Sequence, residues 1–309
     1  MHPNLEFGMG LTSFLYKKIN KISVTNKFLE KKYRNIWPHV ELVKKNEFTA
    51  VNLVGKSQTR GQATAKILID CLKELATDKD LHFKFFINDK PADGYEADSF
   101  YYCIDDDQKQ DFLIPDFAFE SWKEAGINSF SNTVAEIEAK GKETWSDPRV
   151  FWVGNVKTNI IREKLIEIGN QSPEIFDFYN TYVDDYFIHK KDVPYFTLPE
   201  HTRYKYLIDV EGNSYSARLK FLFYSQRVVF LQERKWKEYF HYDLKPYEHY
   251  IPVKNDLSDL VDQYKQIEKD PVLYKQITEN ALKFAHENLT YQCAVDKMRS
   301  TIENRINKP

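Results

Sequence analysis

Apolar runs and amphipathic stretches alternate along most of the chain. Residues 48–54 (FTAVNLV) form an apolar run closed by Gly55, which predicts a strand. After Gly61, Ala65, Leu68, Cys71, Leu72 and Leu75 recur at helical spacing. Residues 81–87 (LHFKFFI) alternate as a strand does and stop at the turn signal Asn88-Asp89-Lys90-Pro91. Two further strands are predicted at 100–104 and 112–117, the second interrupted by Pro115. A polar, turn-rich break covers 140–149. Beyond it the pattern predicts strand 150–153, helix 158–168, strand 204–210, helix 214–224 and strand 227–231. From Asp256 on it predicts helix throughout, one starting over 258–262 and another opened by Pro271.

Strand and helix alternating in both halves predict an α/β protein of two Rossmann-like domains facing a cleft, with a helical C-terminal tail. The boundaries are 1–145, 146–285 and 286–309, the last a helix able to pack back on the first domain. Ligands in such sheets sit outside the carboxyl ends of strands, so the residues just after each strand are the candidates for chemistry.

Composition narrows the field. Of 309 residues only 10 are glycine, and no G-x-G-x-x-G occurs, which excludes a glycine-rich dinucleotide loop. Gly55-Lys56-Ser57 follows a strand, but residue 50, where a phosphate loop needs glycine, is alanine. Three dispersed cysteines fit a reducing compartment and neither a disulfide framework nor a zinc site. The first residues lack a basic region followed by an apolar run, and no apolar stretch approaches 18 residues. The expectation is an intracellular protein. A net charge of −2 excludes a nucleic-acid partner.

That near-neutral sum conceals a separation. Between Thr12 and Lys45 nine basic residues face two acidic ones, a local excess of +7 against −9 elsewhere. Leu11, Phe14, Leu15, Ile19 and Ile22 interleave with the lysines at near-helical spacing. This suits either a solvated lysine-rich face or docking on an anionic membrane surface.

Two constellations carry candidate chemistry. Asp105-Asp106-Asp107 after an apolar strand resembles the D-x-D element of metal-dependent GT-A glycosyltransferases, but fits a solvated acidic turn better. In 204–260, a strand ends at Val210, Glu211-Gly212-Asn213 turns, and a helix is expected near Ser214. Such a helix start offers free N–H groups to an anion, Ser214 and Ser216 add hydroxyls, and Arg218 follows one turn on.

The stretches G-N-S-Y-S-A-R-L-K (212–220) and L-K-P-Y-E-H-Y-I-P-V-K-N-D-L-S-D-L (244–260) resemble glycosyltransferase family 90. That family includes capsule- and lipopolysaccharide-modifying enzymes and animal protein O-glucosyltransferases and O-xylosyltransferases. I-N-D-K-P (87–91), D-F-L-I-P-D-F-A-F (111–119) and F-W-V-G-N-V-K-T-N-I-I-R (151–162) extend the likeness upstream. The resemblance implies a GT-B fold, a UDP-sugar donor (glucose, xylose or similar), inversion at the anomeric carbon and no cofactor or essential metal.

The resemblance places the general base at Asp111, head of the D-x-x-x-P segment, with Asp116 as an alternative. It places donor contacts at Lys157, Thr158, Arg162, Asn213, Ser214, Tyr215, Ser216 and Arg218. Glu233, after strand 227–231, is a candidate for the donor ribose, and Asp89 for the acceptor. His249 is expected to be structural. The implied acceptor is a lipid-linked oligosaccharide of lipopolysaccharide, lipooligosaccharide or capsule, at the cytoplasmic face of the inner membrane, with residues 12–45 on the lipid. A non-catalytic sugar- or nucleotide-binding protein is the alternative of another class.

Overall fold

The computed structural model describes residues 17–19, 22–26, 36–56, 58–91, 94–183 and 195–308. They build two sheets. The first contains β1 (Lys17–Ile19), β2 (Ile22–Asn26), β3 (His39–Lys45), β4 (Phe48–Val54), β5 (Leu81–Phe86) and β6 (Ser99–Phe100), in the order β1-β2-β4-β3-β5-β6. It is mixed rather than parallel: β2–β4 and β5–β6 run parallel, while β3 is antiparallel to both β4 and β5. Asn46, in the left-handed region at φ 51°, makes the tight β3–β4 hairpin possible. Helix α1 (Gln58–Leu72) follows β4 and packs Ala65, Ile67, Leu68 and Cys71 into the core.

The segment 12–45 therefore differs from its helical expectation. Where described, it is strand apart from the bend at 36–38: Ile22, Val24, Val40 and Leu42 are core residues of the sheet. Leu11, Phe14, Leu15 and Lys27, Lys31 and Lys32 lie outside the described residues. The predicted strand 112–117 is also absent. Asp107–Phe112 and Phe117–Phe119 are 3-10 turns, and Leu113 makes only an isolated bridge to Tyr101.

After α2 (Phe130–Gly141), the second sheet comprises β7 (Asp147–Gly154), β8 (Phe176–Asn180), β9 (Tyr204–Asp209), β10 (Val228–Gln232) and β11 (Ile251–Val253). All pairings in its order β11-β10-β9-β7-β8 are parallel. Both faces are covered, so its strands read as continuous apolar runs. Phe151, Val153, Leu207, Val229 and Leu231 enter a core that continues into the first half. Their neighbours Val150, Trp152, Tyr206, Ile208 and Phe230 enter a second core under α3 (Ile160–Gln171) and α5 (Leu260–Ile267). Two α/β halves across a cleft are the GT-B layout.

Helix α4 (Leu219–Leu222) is one turn long. Residues 211–218 are an irregular loop, so the expected helix start at Ser214 is not there. The tail forms α5, α6 (Pro271–Asn288) and α7 (Tyr291–Asn307), with Pro271 in the first turn of α6. Helix α7 lies against α1: Tyr291 Oη donates to Asp70 Oδ2 at 2.6 Å, and Thr301 Oγ1 to the Leu113 carbonyl at 3.2 Å.

Candidate active site

The halves meet at the carboxyl ends of β5, β7 and β9, where two cavities of about 900 and 330 Å³ adjoin. Arg60, Asp89 and Trp122 from the first half and Thr158, Gly212 and Asn213 from the second line both.

Asp89 follows β5 and is held from both halves. Arg60 Nη1 donates to its Oδ1 at 2.6 Å and Asn213 Nδ2 to its Oδ2 at 2.9 Å. Its backbone carbonyl accepts from Cys103 Sγ at 2.9 Å and from Ser214 Oγ. Burial alone would raise the Asp89 pKa. The Asn213 hydrogen bond and the Arg60 charge outweigh it and hold the carboxyl below its ordinary value, so it is ionised at neutral pH.

The facing wall is cationic. Arg162, in the first turn of α3, donates to the carbonyls of Glu211 (2.8 Å), Asn155 (3.2 Å) and Val210 (3.3 Å). Gly212 packs closely here: a Cβ would lie 3.1 Å from Arg162 Nη2, so a larger residue would push the guanidinium by a few tenths of an ångström. Arg218 Nη1 donates to the Val153 carbonyl at 2.6 Å, and both guanidinia lie over the Trp152 ring. Asp209, fully buried at the end of β9, accepts from Ser216 Oγ at 2.6 Å. It also lies 2.9 Å from Arg234 Nη1 and 3.7 Å from Arg218 Nε. Three guanidinia thus surround one fully buried carboxylate, with half-buried Glu211 nearby. Burial, then the Arg218 charge, lowers the Arg162 pKa to about 10, and burial lowers that of Arg218. Buried Arg218 Nε and Arg234 Nη1 meet Asp209 only as ion-pair contacts, without hydrogen-bond geometry. A pocket with surplus buried positive charge suits an anion.

A model of glycosyl transferase family 90 matches residues 16–304. The chain belongs to glycosyl transferase family 90. Protein O-glucosyltransferase 1 of Rattus norvegicus is 32% identical over 141 residues, 43% of this chain and 35% of that protein. O-glucosyltransferase rumi of Drosophila melanogaster is 31% identical over 176 residues, 53% of this chain and 42% of that protein. Protein 035R of Invertebrate iridescent virus 3 is 26% identical over 199 residues, 58% of this chain and 17% of that protein. The matched part is thus less than half the length of each of these relatives. Among solved structures, TarM overlays with a TM-score of 0.39 at 15% identity, covering 54% of this chain and 36% of that one.

Within this family 90 chain, the residues singled out from sequence separate into two groups. Asp89, Thr158, Arg162, Asn213, Tyr215, Ser216 and Arg218 line the cleft, with Ser214 buried behind Asp89. Asp111 does not line either cavity. Its carboxylate is engaged by Lys308, with Arg305 Nη2 at 3.8 Å, both in the C-terminal segment. Asp116 is fully buried and paired with Lys220 Nζ at 3.0 Å, beyond the reach of an acceptor. Lys157 pairs with Glu163 at 3.0 Å outside the cavities, and Glu233 is exposed beyond β10 without lining either one. Asp105 and Asp107 are neutralised by Lys235 (2.8 Å) and Lys237 (2.9 Å). Among the described residues no cluster of three or more acidic, His or Cys side chains suits a metal. His249 packs on Phe284 at 4.9 Å between centroids and accepts from the Lys245 amide, as a structural residue does.

Sequence reasoning passed over Arg60, Asp209 and Arg234. Asp209 and Arg234 stand at or just after strand ends, where the search for chemistry was directed. Arg60 lies in α1, far upstream of any motif, and only the fold brings it to Asp89.

Proposed function

We propose that this family 90 protein transfers a sugar from a UDP-sugar to a saccharide hydroxyl with inversion, using Asp89 as general base. The observation that carries this reading is one cleft with an ionised carboxylate on one wall and Arg162 and Arg218 on the other, backed by buried Arg234. The acceptor oxygen attacks the anomeric carbon as its proton passes to Asp89, and the bond from that carbon to the phosphate oxygen breaks. UDP leaves with both electrons of that bond, its charge met by Arg162 and Arg218 in the role a metal plays elsewhere. Glucose is the first sugar to try, because the named relatives are O-glucosyltransferases. The base assignment moves from Asp111 to Asp89 because Asp89 faces the cationic pocket, whereas Asp111 is tied to the C-terminal segment.

A lipid-linked lipopolysaccharide or capsule saccharide at a cytoplasmic membrane face belongs to the same proposal. Its support is the basic excess of 12–45, of which β1 carries Lys17 and Lys18 and β3 carries Lys44 and Lys45. A panel of UDP-sugars without acceptor tests the donor chemistry, with released UDP as the readout. One α-linked donor is expected to release UDP and β-configured free sugar. No release and no UDP binding across the panel would overturn the reading.

A further inference from the structure

The larger cavity has an aromatic and cationic mouth that the donor chemistry does not use. Trp37 is 51% exposed there although its backbone is fixed on every side. Pro38 restricts it to extended conformations. His39 Nδ1 donates to its carbonyl at 2.8 Å, and Ile87 N to the Pro38 carbonyl at 3.3 Å. Gly55, at φ 70°, lets β4 end so close that a Cβ would sit 2.8 Å from the Ile36 carbonyl. An indole held open on a rigid backbone is a preorganised apolar surface, since its ordering cost is met in the fold.

Charge decides what fits against it. Lys56 and Lys90 line the same mouth, both exposed, and no carboxylate among the described residues pairs with either. Of the carboxylates of this cavity, Asp89 is paired with Arg60 and Asn213, while Glu124 takes a hydrogen bond from the Thr59 hydroxyl and keeps its charge, so Lys56, Arg60 and Lys90 outweigh the two carboxylates by one charge. The mouth is therefore apolar on its indole and positive on its rim.

We propose that Trp37, Lys56 and Lys90 form an acceptor subsite for a saccharide carrying an anionic substituent. The apolar face of one sugar ring stacks on the indole, and its phosphate or carboxylate meets the lysines. This rests on the transfer reading, because the subsite opens onto Asp89, where the acceptor hydroxyl must lie.

The test is calorimetric binding of glucose 6-phosphate, glucose and inorganic phosphate, with saturating UDP filling the arginine pocket. Glucose 6-phosphate is expected to bind more tightly than either fragment. Trp37→Ala should weaken both sugars about tenfold and leave phosphate unchanged, while Trp37→Phe keeps most of the affinity. Lys56→Gln with Lys90→Gln should bring glucose 6-phosphate down to the level of glucose. Unchanged UDP affinity in each variant confirms an intact fold. Sugar binding insensitive to Trp37→Ala, or a parent protein that binds UDP but neither sugar, overturns the subsite alone. A parent that neither binds UDP nor releases it from any donor overturns the transfer reading, and the acceptor role with it.

Discussion

Asn213 Nδ2 donates to Asp89 Oδ2 at 2.9 Å, joining the loop after β9 to the loop after β5 across the cleft. The side chain that steadies this carboxylate thus belongs to the half that carries Arg162 and Arg218. Neighbouring Ser214 repeats the connection through the Asp89 carbonyl. One short segment, Asn213-Ser214, therefore ties the two walls of the cleft together.

Removing the carboxylate charge should stop transfer without emptying the donor pocket. Asp89→Asn keeps the shape and one acceptor atom but cannot take the proton. We expect kcat to fall about 10²- to 10⁴-fold, with UDP affinity within a few-fold of the parent. Asp111→Asn serves as the contrast, since Asp111 faces Lys308 rather than the cleft, and its activity should stay close to wild type. Steady-state kinetics of the two variants decide between the carboxylates; equal losses would refute the assignment to Asp89.

The pH profile should respond to Asn213. Burial pushes Asp89 up, and the hydrogen bond from Asn213 is the largest effect opposing it, ahead of Arg60. A depressed carboxyl stays ionised above its ordinary value near 3.8 and gains its proton only as pH falls through the lower folded value. In the parent, Asp89 therefore sets no acid limb near neutrality. Asn213→Ala removes the leading compensation, so the acid limb of kcat/KM should move to higher pH. The same substitution should narrow the pH range in which Asp89 supports folding. An acid limb unmoved in Asn213→Ala would count against Asp89 as the titrating base.

Arg218 should discriminate shape from charge. Lysine retains the cation but loses the fork that reaches the Val153 carbonyl and faces Asp209 together. Arg218→Lys is expected to weaken UDP binding by roughly one to two powers of ten, on the scale of a charge-assisted hydrogen bond. Calorimetry with UDP and with uridine checks it: uridine binding should change far less, because it carries no phosphate.

Much of this was legible in advance, and the failures have physical causes. The second sheet declared itself because parallel strands covered on both faces are unbroken apolar runs, as in YKYLIDV and RVVFL. The strand β3 did not, because HVELVKK carries charges on a face that meets solvent. The lysines of 12–45 read as one basic arm, yet Ile22 and Val24 among them were sheet core at the period of a strand. Motif position points to Asp111 as a base, whereas Arg60, 29 residues before Asp89 in sequence, pairs with a carboxylate that the fold brings into the cleft and that we propose in its place. Such long-range pairing leaves no periodic trace along the chain.

Lys220 should matter to stability as much as any core residue. Its ammonium is fully buried, 3.0 Å from Asp116 in the first half and 2.9 Å from Glu238 in the second. Burial opposes its charge, but Asp116 and Glu238 together raise its pKa and keep it protonated. Lys220→Met leaves two buried carboxyls facing each other with no cation between them. A loss of about 3–5 kcal/mol is expected by denaturant titration at pH 7, on the scale of one partner removed from a buried pair. The deficit should shrink toward acid pH. Burial already drives the Glu238 pKa upward against the pull of Lys220, so without the lysine Glu238 titrates still higher in the folded state than in the unfolded one. A carboxyl with a raised folded pKa binds more protons folded than unfolded, and stability then falls as pH rises between the two values. Unfolding curves of Lys220→Met at pH 5 and pH 8 should therefore separate more widely than those of the parent. Adding Glu238→Gln, which removes that titrating group, should narrow the separation. A Lys220→Met protein with parental stability at both pH values would show that the triad does not hold the halves together.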